Sequence, residues 1–295
     1  MSVQASTTSA SITASYDSWV QSNVRIIPAE HQEILRDARI LIAGTGAEGS
    51  STAICLARLG VGHFRLADLD TFEAKNLNRQ FGCYHDTLGV SKVDAVAAEI
   101  RRINPEAEVD VVREGVTADN ARALVENVSC IVEGIDMYVP EAVLALDQAA
   151  REAELFMVTG LSLGFRNDIY VFSPHGMGLV EFCLDAVARG YYPFVPTDPP
   201  PTGFPADLAI AMKDLFTGLP DPSESLEAFL PAFNERVAST ADLAIPAIAP
   251  TVFLTGARTA IEVYGLLTDT REPVLAPGYT SVDLLNVAAE TVHAT

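Results

Sequence analysis

The chain has 295 residues, 49% of them apolar, which is enough for a sizeable core in one large domain or two small ones. A formal charge of −20 argues against nucleic acid and anionic membrane surfaces as partners, because both would repel it at long range. The four cysteines (Cys55, Cys83, Cys130, Cys183) form no CxxC pair, which argues against a disulfide framework or a structural zinc and fits a reducing, cytoplasmic setting.

The chain opens with MSVQASTTSASITASYDSW, rich in Ser, Thr and Ala, with neither the basic start nor the apolar core of a secretion signal. This predicts a flexible leader over 1–20 and a folded part over 21–295. From 38 to 160, short apolar or β-branched runs alternate with helical stretches, the pattern of repeated βαβ units and a mainly parallel sheet. The expected strands are RILIAG (39–44), HFRLAD (63–68), EVDVVRE (108–114), SCIVEG (129–134) and LFMVTG (155–160). Helices are expected at 48–59, 90–103, 118–126 and 140–152, with Gly60 as a C-terminal glycine and Pro105 as a stop. The predicted class is α/β, Rossmann-like and doubly wound. Past Gly164 the rhythm changes. NDIYVFSP suggests a strand, 191–205 a proline-dense irregular loop, then come helices at 206–216, 226–237 and 246–267, and TSVDLL (280–285) suits a closing strand. The apolar run over 243–254 is broken by Pro246 and Pro250 and is too short to span a bilayer.

GTGAEGS follows the first strand and opens a helix, so Gly44, Gly46 and Gly49 let backbone N–H groups approach a nucleotide, or serve only close packing. Glu48 is out of place against a phosphate but suits a helix N-terminus. Asp68 ends the second strand, where a carboxylate can accept from both ribose hydroxyls of NAD or ATP. Asp70 is either a second site acid or a turn cap. The stretch from 76 to 92 favours ATP. Asn76, Asn78, Arg79 and Gln80 in NLNRQ lie just beyond the ribose acid, within reach of a polyphosphate, and Lys92 stands near a helix start. Arg79 supplies a bidentate fork and Lys92 a mobile point charge. Asp136, after SCIVEG, stands where open α/β sheets keep ligands, and it also fits a cap on the helix at Pro140.

The set GTGAEGS, DLD, NLNRQ, GxxK and Asp136 resembles the ThiF family, the adenylating domain of ubiquitin-activating-like enzymes, over about 36–164, with weaker similarity in VFSPHGMG and APTVFLTGARTAIEVYGLL. The resemblance implies a Rossmann-like domain that binds MgATP and transfers AMP to a carboxylate of a ubiquitin-like protein, a peptide or a small acid. By position, Asp68 would hold the ribose, Asn76 and Arg79 would contact phosphates, Lys92 would neutralise the triphosphate and Asp136 would help hold Mg²⁺. The nucleotide-binding half would be 21–164, and 165–295 an α+β extension for the acyl substrate and for dimer contacts. The resemblance also implies a homodimer in which Arg25 of one subunit reaches the other's phosphates.

Departures qualify the match. Many relatives carry two zinc-binding CxxC pairs, absent here, so no zinc is expected. No cysteine lies in 191–243 to form a thioester, and Cys183 in VEFCL suits a buried thiol. Cys55 and Cys130 fit core positions, whereas Cys83 lies near the basic loop, where its thiol would titrate low. Met137 stands where asparagine is frequent in relatives. A degenerate partner subunit is the alternative reading, and an NAD-dependent dehydrogenase, which leaves NLNRQ and Lys92 without purpose, is the third.

Overall fold

The computed structural model describes residues 14–136, 139–182 and 247–293. Its first strand, β1 (Arg39–Ala43), places Leu41 and Ala43 in one apolar cluster and Ile40 and Ile42 in another. Both faces of β1 therefore meet core, which is why its sequence is apolar without alternation. β2 (His63–Ala67), β3 (Glu108–Val112), β4 (Cys130–Glu133) and β5 (Met157–Leu163) pair in parallel around it. β6 (Arg166–Phe172), β7 (Tyr279–Asp283) and β8 (Ala288–Val292) continue the same sheet antiparallel. The order is β3-β2-β1-β4-β5-β6-β7-β8. This is the predicted α/β, doubly wound sheet.

The helices are α1 (Tyr16–Trp19), α2 (Ala29–Asp37), α3 (Ala47–Leu59), α4 (Lys92–Ile103), α5 (Ala121–Leu124), α6 (Pro140–Glu152) and α7 (Ala249–Thr268). On one face, Leu35 of α2, Leu56 of α3, Val96 of α4 and Val263 of α7 pack with Ile40; on the other, Leu124 of α5 and Leu146 of α6 pack with Leu41. α7 crosses α3 closely enough that a Cβ at Gly256 would lie 2.4 Å from Ser51 Oγ. No described helix is long and apolar enough to cross a membrane.

The differences from the sequence expectations have local causes. Gly60 caps α3 with φ 108° as expected, but α4 begins at Lys92 rather than at 90. The helix expected over 118–126 shrinks to the single turn α5. Ahead of it, Thr117 N–H donates to Asn120 Oδ1 and Asn120 N–H donates to Thr117 Oγ1, a reciprocal turn that competes with helix. α1, α2 and β8 were not anticipated, and β8 is exposed along most of its length. Tyr16 and Val20, assigned by the sequence to the leader, are buried, and the Tyr16 hydroxyl donates to the Gly60 carbonyl at 2.6 Å. The loop expected over 191–205 and the helices expected over 206–216 and 226–237 lie outside the described residues.

Candidate active site

Because β2 and β4 flank β1, the winding reverses at β1, and a crevice opens at the carboxyl ends of β1 and β4. The glycine loop lines it. Gly44 adopts φ 88°, and a Cβ there would lie 2.2 Å from the Gly134 carbonyl oxygen; a Cβ at Gly49 would lie 1.8 Å from the Gly44 oxygen. Packing alone explains these two glycines. It does not explain Gly46, where a Cβ would meet only Gln80 Nε2, at 3.9 Å, so the space over that residue is open. Gln80 is itself buried, and its Oε1 has no hydrogen-bond partner.

Asp68 braces the loop. Its Oδ2 accepts from Thr45 N–H at 2.7 Å and from the Thr45 hydroxyl at 3.1 Å, and its Oδ1 accepts from Asp70 N–H at 2.9 Å. A ribose would use the lone pair left over from about four. Asp70 accepts from Lys92 Nζ at 2.7 Å, and the lysine, first residue of α4, is buried. The NLNRQ stretch folds as a tight unit. Asn76, also buried, takes the Glu73 N–H on its Oδ1 at 2.9 Å and closes the short turn Ala74–Asn76, while Asn78 Nδ2 donates to the Ala247 carbonyl at 3.0 Å. Arg79 Nη1 donates to the Lys75 carbonyl and to Asn78 Oδ1, both at 2.8 Å, which fixes the guanidinium at the crevice.

Asp136 completes the group. Solvent reaches it, yet protein walls it in, and this desolvation raises its carboxyl; Asp70 and Asp68 raise it further, and Lys92 and Arg79 pull it down. The structure thus brings Asp68, Asp70, Arg79, Lys92 and Asp136 into one electrostatic neighbourhood. Asp136 does not cap α6 with its side chain; its carbonyl takes the Val139 N–H at 2.9 Å. Met137 lies outside the described residues.

The sequence reading passed over one acid. Glu133, last residue of β4, is buried, with Oε1 accepting from Ile135 N–H at 2.8 Å and Oε2 from the Thr159 hydroxyl at 2.9 Å. Burial, with the charges of Asp136 and Glu48 behind it, pushes its carboxyl up to about 7. Its signal was an acid closing a wholly apolar strand. Glu48 is likewise raised by burial, against hydrogen bonds from the Ser162 hydroxyl and its own N–H. Arg25 is exposed, at φ 76°, and touches none of these side chains. Cys83, expected to titrate low, is buried, and burial raises its thiol more than Lys92 and Arg79 lower it. Burial pushes Cys130 up to about 12, and Cys183 lies outside the described residues.

The sequence profile of the ThiF family matches residues 20–295. The chain belongs to that family. Among curated ThiF-like relatives, tRNA threonylcarbamoyladenosine dehydratase of Escherichia coli (strain K12) is 36% identical over 132 residues, 43% of this chain and 49% of that protein. The sulfur carrier protein ThiS adenylyltransferase of Bacillus subtilis (strain 168) is 32% identical over 161 residues, 54% of this chain and 47% of the relative. Among solved structures, E. coli MccB with ATP superposes with TM-score 0.60 at 16% identity, over 94% of this chain and 68% of that one, a likeness of fold. The chain spans about half the length of the curated relatives it matches.

The residues present fit MgATP. Gly46 leaves a cradle that no protein atom fills, and the nearest group to it is the Gln80 amide nitrogen at 3.9 Å, a donor that a nucleotide acceptor would use. Among the described residues, no group of three or more His, Cys, Asp or Glu is arranged to hold a metal ion.

Proposed function

We propose that the chain is an ATP-dependent adenylyltransferase that activates a carboxylate as an acyl adenylate and releases pyrophosphate. The observation that carries the reading is the convergence of Lys92, Arg79 and Asp136 beside the open cradle at Gly46. In this reading Lys92 and Arg79 hold the triphosphate and stabilise the charge that develops as a carboxylate oxygen attacks the α-phosphorus, an effect typically worth about 10²–10³ in rate per contact. Asp68, with Thr45, fixes the loop against the ribose, and Asn76 and Gln80 shape the wall beside it. Mg²⁺, held in part by Asp136, would offset phosphate charge. Attack by a carboxylate needs no general base and no side-chain nucleophile.

The acyl substrate in this reading is a ubiquitin-like protein, a peptide or a small acid. The relatives support the range: one is named for the sulfur carrier protein ThiS, and MccB has been solved with MccA. The dehydratase relative is named for tRNA, but a chain of charge −20 is a poor host for a polyanion, so a nucleic-acid substrate is not proposed. A homodimer would bring the exposed Arg25 of a second copy to the phosphates.

Calorimetric binding of MgATP and of NAD, with Lys92→Ala alongside, tests the reading. MgATP should bind, NAD should not, and the substitution should weaken MgATP about 10- to 100-fold, the range for a hydrogen bond to a charged group. NAD binding in place of MgATP overturns the proposal; binding of neither points to a degenerate partner subunit.

A further inference from the structure

Glu133 sits where an acid is costly. It closes a strand that is otherwise apolar, pairs with Ala43 of β1 and Thr159 of β5, and is 5% exposed. Both carboxylate oxygens are used, one on Ile135 N–H and one on the Thr159 hydroxyl, at 2.8 and 2.9 Å. The carboxylate therefore ties the peptide that comes after β4 to the neighbouring strand. That peptide carries two loads. A Cβ at Gly44 would lie 2.2 Å from Gly134 O and 2.9 Å from Ile135 N, so residues 134–135 form the wall on which the glycine loop rests. The next residue is Asp136. Asp68 braces the same loop from β2 through Thr45. The glycine loop is held between two strand-end carboxylates, and only one of them belongs to the set that the sequence pattern identifies.

We propose that Glu133 is a positioning residue for the nucleotide site: by clamping Ile135 N–H to Thr159 it sets the wall of the glycine loop and the place of Asp136 together. The inference rests on the adenylation reading. It makes Glu133 act through geometry, with no contact to the nucleotide, and it makes Thr159 the other jaw of the clamp.

The test uses isosteric and clamp-breaking variants in pairs. Glu133→Gln keeps the clamp, because an amide oxygen accepts from Ile135 N–H and an amide nitrogen donates to Thr159 Oγ1. Thr159→Ser keeps the hydroxyl. Glu133→Leu and Thr159→Val break it. ATP affinity is measured by calorimetry with and without Mg²⁺, and the thermal midpoint without nucleotide is recorded for each. Glu133→Gln and Thr159→Ser should bind MgATP as the wild type does. The clamp-breaking variants should lose about 10- to 100-fold, the usual cost of removing a partner that orients a ligating group, and should lose the gain in affinity that Mg²⁺ confers. A purely structural role would lower the thermal midpoint and leave that Mg²⁺-dependent gain intact. If Glu133→Leu does not fold, Thr159→Val decides. A folded clamp-breaking variant with the wild-type response to Mg²⁺, or a Gln variant as impaired as Leu, overturns the proposal. A wild type that binds no MgATP overturns the adenylation reading itself, and the clamp with it.

Discussion

In the parallel half of the sheet, Asp68, Glu133 and Asp136 stand at or past the last paired residue of their strands; in the antiparallel half, Arg166, Asn167 and Asp168 lie within or at the head of β6, all buried. Asp68 and Asp136 border the crevice, and Asp68 spends its hydrogen bonds on loop groups; Glu133, buried behind them, divides its two between the loop N–H of Ile135 and the Thr159 hydroxyl of β5. The second group spends its bonds inside the fold: Arg166 Nε donates to Asp168 Oδ1 at 2.9 Å, Arg166 reaches Glu290 at 3.2 Å, and Arg258 Nη1 donates to the Asn167 carbonyl at 2.8 Å. A charge at a strand end can serve a ligand because its loops leave one side open. A charge inside a strand must be neutralised by the protein itself, and its removal shows in folding rather than in binding.

The sharpest break of this contrast is at Arg166. Replacing it with Met leaves Asp168, wholly buried and already raised by burial, without the cation that lowers it most. Breaking one side of a buried ion pair costs about 3–5 kcal/mol, whereas replacing both partners with apolar residues is often neutral. Arg166→Met should therefore lose that much stability in urea unfolding, and the further change Asp168→Leu should restore most of it. MgATP affinity should stay at the wild-type level in whatever fraction remains folded. A large loss of affinity without loss of stability would mean that the two halves are not divided in this way.

A smaller effect tests the parallel half. Glu133 titrates at about 7 in the folded protein, raised from 4.5, chiefly by burial. A raised carboxyl favours the fold while protonated. Its contribution is complete below the unfolded value and is lost as pH rises through the folded one. Glu133→Gln removes this dependence and, because both hydrogen bonds survive, keeps the clamp. The variant should match the wild type near pH 4 and exceed it by about 1–3 kcal/mol at pH 8, read from urea unfolding at both values. A gap that does not change with pH would place the charge of Glu133 outside the energetics of the fold.

The same division explains what the sequence disclosed. Asp68, Asp70, Lys92 and Asp136 are legible because each comes after a strand or opens a helix, where spacing alone fixes the neighbourhood. Glu133 was missed because SCIVEG reads as an apolar strand, and an acid at its end gains meaning only when Thr159 is placed beside it. The strand inferred from NDIYVFSP begins one residue after Arg166, so the buried pair with Asp168 was cut in two. Tyr16 was given to a leader for the same reason. Its hydroxyl finds Gly60 across 44 residues of sequence, a contact that no local pattern announces.

The finest distinction lies within the glycine loop. Alanine at Gly44 or Gly49 places a methyl group 2.2 or 1.8 Å from backbone oxygen, and at Gly44 the backbone also holds φ 88°, so both substitutions should disturb the fold. Alanine at Gly46 meets nothing closer than the Gln80 amide at 3.9 Å, so its cost is that of a poorer N-cap on α3, about 0.5–1 kcal/mol. The added methyl nevertheless stands in the cradle. Should a nucleotide approach the backbone there, MgATP affinity falls in Gly46→Ala by more than the small loss of helix capping accounts for, while its thermal midpoint falls far less than in the Gly44 and Gly49 variants. Equal affinity in the two proteins would move the nucleotide off this loop and leave Gly44 and Gly49 to packing and Gly46 to the N-cap of α3.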